Sequence, residues 1–314
     1  MSFVTSLTTT QIAALSTTSL NNLSTTDIAS LASTQVQALT TTQLNALGST
    51  NLGAFSTAQV AKLTTTQVAA LTSTQLNLMQ TSDVAALTTT QVSSLSSTQL
   101  NGLDSTHLGR CPPRRWRASS TQLNALSTTN LGALTTTQVS GLSTTQAANL
   151  SSTQLNALQT SDVAALSTAA VASLSSTQLN ALTSTNLQAL ATAQAAALST
   201  TQAANLSSTQ LDALQTSDLA ALSTAAVGSL SSTQLNALSS TNLAALSTAQ
   251  VSKLTTTQVA ALTSTQLNLM ETTDVAALTT TQVSNLTSTQ LNGLDTTHLG
   301  ALSSAQVAGL PARS

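Results

Sequence analysis

The 314-residue sequence is short of the residue types on which most enzymes and binding proteins depend. Charged residues make up 5% of the chain and aromatic residues 1%, whereas a typical domain is about 25% charged. One cysteine excludes a disulfide framework within the chain, and one cysteine with two histidines excludes a series of zinc sites. A net charge of −2 at pH 7 provides no basic surface, so we expect no nucleic-acid partner.

Long apolar runs and a leader-like N-terminus are also missing. No apolar stretch reaches the roughly 18 residues of a transmembrane helix, so the sequence predicts no membrane span. The first residues contain no basic segment followed by an apolar one, and we expect no N-terminal secretion signal of the usual kind. The serines lack histidine and aspartate partners in a catalytic pattern, and no glycine-rich phosphate loop is present. We therefore expect that the protein is not an enzyme and needs no cofactor.

What the sequence has instead is a repeat of eight residues. Leucine recurs at every eighth position from Leu7 to Leu310, with Phe55, Met79 and Met270 in its place and a one-residue shift after residue 109. The octad reads Leu, Ser/Thr, Ser/Thr, Thr/Ala/Ser, Gln, Val/Leu and two small residues. We number its leucine position 1 and its glutamine position 5.

The octad favours a short helix followed by a turn. Ser or Thr at position 2 and Gln at position 5 form a capping box, in which each side chain accepts the other residue's backbone N–H. We therefore expect a helix from about position 3 to position 8, and an all-α fold in which octads stack into a tight α-solenoid. One continuous helix is excluded, because an eight-residue period drifts by about 80° per repeat. A β-solenoid with threonine-rich faces and a Gln/Asn ladder is the alternative.

The repeat also predicts which side chains hold the solenoid together. One octad buries too little apolar surface to offset the cost of ordering its chain, so octads must stack. Position 1 and position 6 are expected to form the core, position 5 to form a ladder of capping glutamines, and the small residues at positions 7 and 8 to allow close approach of backbones. Representative residues are Leu63, Gln67, Val68, Leu71, Gln75 and Leu76, and, in the second half, Leu254, Gln258, Val259, Leu262, Gln266 and Leu267.

Residues 110–118 interrupt an otherwise continuous array, which extends over 1–109 and 119–314. The segment reads R-C-P-P-R-R-W-R-A and contains the single cysteine, Cys111, and the single tryptophan, Trp116. Loss of one base from GC-rich codons of the matching stretch after Gly300, followed by loss of two more, reproduces this segment and the register shift. We interpret the segment as a compensated frameshift, in the gene or in its reading, and expect no chemistry at Cys111 or Trp116. The alternative is a basic, tryptophan-bearing loop for anionic polymers or lipid.

Ionisable residues at position 5 are the remaining candidates for a binding site. They are His107, His298, Asp27, Asp83, Asp162, Asp218 and Asp274. Single carboxylates separated by several octads do not provide the multi-oxygen shell that calcium requires, so we expect polar members of the ladder and no metal. The last three aspartates are 56 residues apart, which indicates a higher-order repeat of seven near-equivalent octads.

The octad at 63–70, L-T-T-T-Q-V-A-A, resembles the tandem octapeptide arrays of large bacterial surface or secreted repeat proteins, often labelled adhesin-like or haem-utilisation-like. The resemblance extends over nearly the whole chain. It implies an extracellular or cell-surface location, and it carries over no active-site residues.

Together these patterns predict a structural protein. Neither end has an atypical capping repeat, so we expect solenoids to associate with themselves, head to tail and laterally, as the subunit of an extracellular filament or sheath. A surface of hydroxyl and amide groups with few protease-sensitive Lys and Arg residues suits such a fibre. Two alternatives stay open. One is the stalk or spacer of a large bacterial adhesin, and the other is an ice- or polysaccharide-binding module with a cell-surface or matrix polysaccharide as its partner.

Overall fold

The computed structural model of the chain describes residues 3–111 and 120–310. Every regular element among these residues is helical and none is a strand, so the predicted all-α class is confirmed and the β-solenoid alternative is wrong. The chain forms two compact units, Met1–Leu158 and Gln159–Ser314. Most of the aberrant segment, residues 112–118 with Trp116, lies outside the described residues.

The first unit begins with a 3₁₀ helix, Phe3–Ser6, and continues with short α-helices. Their bounds are α1 Thr9–Ala14, α2 Thr17–Asn21, α3 Thr25–Ala29, α4 Ser33–Ala38, α5 Thr41–Ala46, α6 Ser49–Leu52, α7 Thr57–Val60, α8 Thr65–Ala70, α9 Ser73–Leu78, α10 Thr81–Ala86, α11 Thr89–Ser93, α12 Ser97–Gly102, α13 Ser105–Arg110, α14 Ser120–Asn124, α15 Thr128–Gly132, α16 Thr136–Ser140, α17 Thr144–Asn149 and α18 Ser152–Ala157.

The second unit continues the same pattern of one short helix for each octad. Its helices are α19 Thr160–Ala165, α20 Thr168–Ala172, α21 Ser176–Asn180, α22 Ser184–Gln188, α23 Thr192–Ala196, α24 Thr200–Asn205, α25 Ser208–Ala213, α26 Thr216–Ala221, α27 Thr224–Gly228, α28 Ser232–Asn236, α29 Ser240–Ala244, α30 Thr248–Val251, α31 Thr256–Ala261, α32 Ser264–Leu267, α33 Thr272–Ala276, α34 Thr280–Ser284, α35 Ser288–Gly293, α36 Thr296–Ala301 and α37 Ser304–Ala308.

Helix α8 illustrates how one octad folds. Thr64 has extended backbone angles (φ −71°, ψ 157°) before the helix, and its hydroxyl accepts the N–H of Gln67 at 3.1 Å. The Gln67 Oε1 in turn accepts the N–H of Thr64 at 2.8 Å, which completes the capping box. Leu71 returns to extended geometry and ends the helix. In α8 the helix spans position 3 to position 8 as predicted, whereas shorter helices such as α7 and α15 end at position 6 or 7.

Three octads make one turn of each solenoid unit. In the first unit α8 packs against α5 and α11, and in the second unit α28 packs against α25 and α31. A helix therefore meets its neighbours about 24 residues before and after it in the sequence. The interior of each coil is filled by positions 1 and 6, where Leu71 is 3% exposed and Val68 is fully buried.

Glycine at position 8 marks the closest approach between turns. A Cβ on Gly102 in α12 would lie 2.4 Å from the Cβ and Oγ of Ser73 in α9. Gly293 in α35 has the same relationship to Ser264 in α32. Because real Cβ atoms do not approach this closely, the two glycines permit a helix contact that alanine would obstruct.

Candidate functional site

The position-5 glutamines join each turn to the one before it. While the Gln67 Oε1 caps its own helix, the Nε2 donates to the carbonyl oxygens of Val36 (3.0 Å) and Leu39 (2.7 Å) in the preceding turn. The Val36 carbonyl also accepts the N–H of Leu39 at 3.2 Å, whereas the Leu39 carbonyl lies beyond the end of the helix, where no intrahelical donor is available. One buried amide thus satisfies groups in two successive turns.

The same double role recurs along both units. Glutamines that donate to two or three carbonyls of the preceding turn include Gln43, Gln59, Gln91, Gln99, Gln194, Gln202, Gln234, Gln250, Gln258, Gln282 and Gln290. We call the position-5 side chains, with their carbonyl partners, the inter-turn ladder.

The structure places the representative residues as follows. The apolar members are buried at 6% exposure or less: Leu63, Val68, Leu71, Leu76, Leu254, Val259, Leu262 and Leu267. Gln67 and Gln258 are buried and bind three and two carbonyls of the preceding turn, respectively. Gln75 and Gln266 are half-buried and reach only the carbonyls of Asn45 and Asn236. The ladder is therefore weaker at these two positions.

A second polar row, formed by asparagine at position 7, was not predicted. Asn45 donates to the carbonyl of Ala70 at 2.7 Å and accepts the N–H of Thr72 at 3.2 Å, so it ties the end of one helix to the start of the next. Asn236 donates in the same way to Ala261 at 3.0 Å. The signal was present in the sequence, since Asn21 and Asn45 are 24 residues apart, the length of one turn.

Histidine replaces glutamine twice in the ladder. The Nδ1 of His107 lies 2.8 Å from the Oδ1 of Asp104, and its Nε2 lies 3.0 Å from the carbonyl oxygen of Met79. His298 repeats this arrangement at the same distances with Asp295 and the carbonyl of Met270. Both partners of each ring are acceptors, so only the doubly protonated imidazolium donates to both. The expectation of polar ladder members therefore describes these histidines well.

The sequence that forms this ladder matches a known family of repeats. The family model for the ALTTAQ repeat matches residues 44–79, 155–192, 211–248, 240–269 and 268–304, which together span more than half of the chain. The chain belongs to the ALTTAQ repeat family. No curated protein matches it.

Aspartates at position 5 interrupt the ladder of the ALTTAQ repeats. Asp83, Asp162 and Asp218 are each 1% exposed, and the Oδ2 of each has no hydrogen-bond partner among the described residues. Burial raises the pKa of Asp83, partly offset by a hydrogen bond from the backbone N–H of Gln80. Threonine hydroxyls of the preceding turn donate to the Oδ1 of Asp218 (Thr192, 2.9 Å) and of Asp274 (Thr248, 2.7 Å). Carboxylates are thus held where the other repeats place an amide donor.

Cys111 occupies the leucine position of an octad. It follows α13 as its C-cap, is 1% exposed, and its carbonyl accepts the Nε2 of Gln138 at 2.8 Å. Burial raises the pKa of its thiol to about 12, so the unreactive thiol predominates at neutral pH. Within the described residues Cys111 therefore serves as a small core residue.

Residues 3–111 and 120–310 bring no three His, Cys, Asp or Glu side chains together as a metal centre. The helices of the same ranges are too short or too polar to cross a membrane.

Proposed function

We propose that the chain is a structural, self-assembling subunit of an extracellular filament or sheath, in which turns of one copy stack on turns of another. The observation that supports this proposal most is the inter-turn ladder. Every turn offers glutamine amides on one side and helix-end carbonyls on the other, so the contact within a chain has the groups needed for a contact between chains. Such a contact is heterologous and continues indefinitely unless it closes.

The surface composition supports the same proposal. Only 5% of the chain is charged, and the exposed positions 2 to 4 are mainly serine and threonine. Low net charge reduces the repulsion that keeps proteins apart, and hydroxyl groups offer many weak lateral hydrogen bonds. A non-catalytic role in an extracellular location is part of this proposal.

Electron microscopy of the full chain over a concentration series tests the proposal. We expect thin, uniform filaments above a critical concentration. Gln11, at position 5 of the octad at 7–14, is exposed, and its amide nitrogen donates to no described residue. A Gln11→Ala variant is therefore expected to raise the critical concentration about fivefold, for the loss of about 1 kcal/mol of hydrogen bonding.

The matched control is Thr10→Ala, because Thr10 is exposed on the same helix but is not a ladder residue. It should leave the critical concentration unchanged. Short rods of constant length at every concentration would overturn the filament proposal. That result would favour the stalk or spacer, since turns that bond only to neighbouring turns also make a rod whose length grows with repeat number.

A further inference from the structure

Three octads, at 79–86, 158–165 and 214–221, exchange the usual roles of positions 2 and 5. In the octad at 79–86, Gln80 replaces the capping hydroxyl and Asp83 replaces the ladder glutamine. The Nε2 of Gln80 donates to the carbonyl of Gly53 in the preceding turn at 3.0 Å. In the octad at 214–221, Gln215 donates to the carbonyl of Gln188 at 2.6 Å, and Asp218 is at position 5. The exchange moves the inter-turn amide away from position 5.

In the octads at 79–86 and 214–221 this exchange leaves two acceptors without a donor. One is the buried Oδ2 of Asp83 or Asp218. The other is the position-1 carbonyl oxygen of the preceding turn, at Phe55 or Leu190, which accepts no hydrogen bond from a described residue. In a regular octad the glutamine Nε2 binds this carbonyl, as Gln59 binds Leu31 at 2.8 Å. An unpartnered buried acceptor costs about 1–3 kcal/mol, so each pair calls for a donor.

Asparagine at position 5 indicates how far an aspartate reaches. Asn51 binds the helix-end carbonyls of Leu20 and Asn21 at 3.3 and 3.0 Å and makes no bond to the position-1 carbonyl. Asn242 lies 3.5 Å from that carbonyl, at Leu214. Asparagine and aspartate are shorter than glutamine by one C–C bond, about 1.5 Å. A direct O–H···O hydrogen bond from a protonated aspartate needs about 2.5–3.0 Å between the two oxygens. The asparagine distances indicate that an aspartate oxygen does not come this close to the position-1 carbonyl oxygen.

We propose that one buried water molecule binds at each of these two places and donates one hydrogen to the aspartate Oδ2 and the other to the position-1 carbonyl. Aspartate and water together then take the place of glutamine: the carboxylate supplies the acceptor and the water supplies the donor. Water suits the site because both open groups are acceptors and water carries two donors. A divalent cation suits it less, because two oxygens fall far short of a calcium shell.

The environment of Asp83 supports this assignment. A surface groove lined by Gly53, Phe55, Gln80 and Asp83 gives water a route to the site. Burial raises the pKa of Asp83, so an ionised carboxylate here requires a donor that the neighbouring side chains do not supply.

Oxygen-17 relaxation dispersion of water, which counts long-lived buried molecules, tests the proposal on the full chain. The double variant Gln80→Ser/Asp83→Gln restores the regular pair used by neighbouring octads, so we expect it to fold. It should lose one long-lived water per molecule, and Gln215→Ser/Asp218→Gln should lose another. The reciprocal variant Thr64→Gln/Gln67→Asp should gain one.

An unchanged water count in both restoring variants would overturn the proposal, provided that circular dichroism shows an unchanged helix content. A neutral carboxyl ¹³C signal for Asp83 at pH 7 would also overturn it and would assign a proton to the site. Stoichiometric metal that is lost in the restoring variants would assign a cation instead.

Discussion

Replacing Gln67 by methionine tests whether the ladder holds successive turns together. Methionine has a similar length and fills the same space, but it neither donates nor accepts strongly. The change removes three short hydrogen bonds, from the N–H of Thr64 at 2.8 Å and to the carbonyls of Val36 at 3.0 Å and Leu39 at 2.7 Å, together with a longer contact to the carbonyl of Gln37 at 3.3 Å. Gln67 is 4% exposed, so water does not readily replace these bonds. At about 0.5–1.5 kcal/mol each, the expected loss is about 2–4 kcal/mol in the free energy of unfolding.

Gln75→Met is the matched control, since Gln75 is half-buried and donates to a single carbonyl of the preceding turn. The groups that Gln75 binds can form hydrogen bonds with water instead, so we expect a loss of about 1 kcal/mol in the free energy of unfolding. Repeat arrays do not always unfold in one step, so the assay is urea unfolding by circular dichroism combined with local hydrogen exchange at residues 36–39 and 64–71. Equal losses in the two variants would refute the reasoning, because the ladder would then add nothing to capping.

Three further outcomes follow from the described contacts. Gly102→Ala should lower stability by about 1–3 kcal/mol in thermal melts, because the new methyl group meets Ser73, whereas Gly300→Ala, with nothing within 4 Å, should be neutral or stabilising. Burial lowers the pKa of His298, but hydrogen bonds to the Met270 carbonyl and to Asp295 outweigh this effect and raise the pKa above 6.5. The stabilisation that protonated His298 provides should therefore be complete below pH 6.5 and disappear as the pH rises through the folded-state pKa. An NMR titration of the ring measures this, and Asp295→Ser/His298→Gln should abolish the dependence. Cys111 should resist thiol reagents at pH 8 in the folded chain and react in urea, and rapid labelling without denaturant would contradict its burial.

The local parts of the fold were predictable because they depend on neighbours in the sequence. The capping box at Thr64 and Gln67 acts over three residues, so the start and end of α8 followed from the octad alone. The same logic located the buried leucines. The pairing of Gln67 with Val36 and Leu39 was not predicted, because these contacts join residues about 30 positions apart.

The number of octads in a turn could not be predicted from the eight-residue pattern, for a related reason. Because the octads are nearly identical, the sequence does not indicate which octads contact one another. The asparagines are the exception, because Asn77 and Asn101 repeat at the length of a turn. Asp83 was interpreted as a ladder member from its position alone, while the unpartnered oxygen became evident only from its burial.

A turn of three octads combined with a sequence duplication of seven has a geometric consequence. Seven octads amount to two turns and one further octad, so each duplicated copy begins one face further around the coil. In the second unit Asp162, Asp218 and Asp274 belong to α19, α26 and α33, which lie in three different columns of stacked helices. The seven-octad duplication in this unit therefore distributes these position-5 aspartates evenly around the circumference. No single face of the coil in this unit carries all of the turn-to-turn contacts that lack a glutamine.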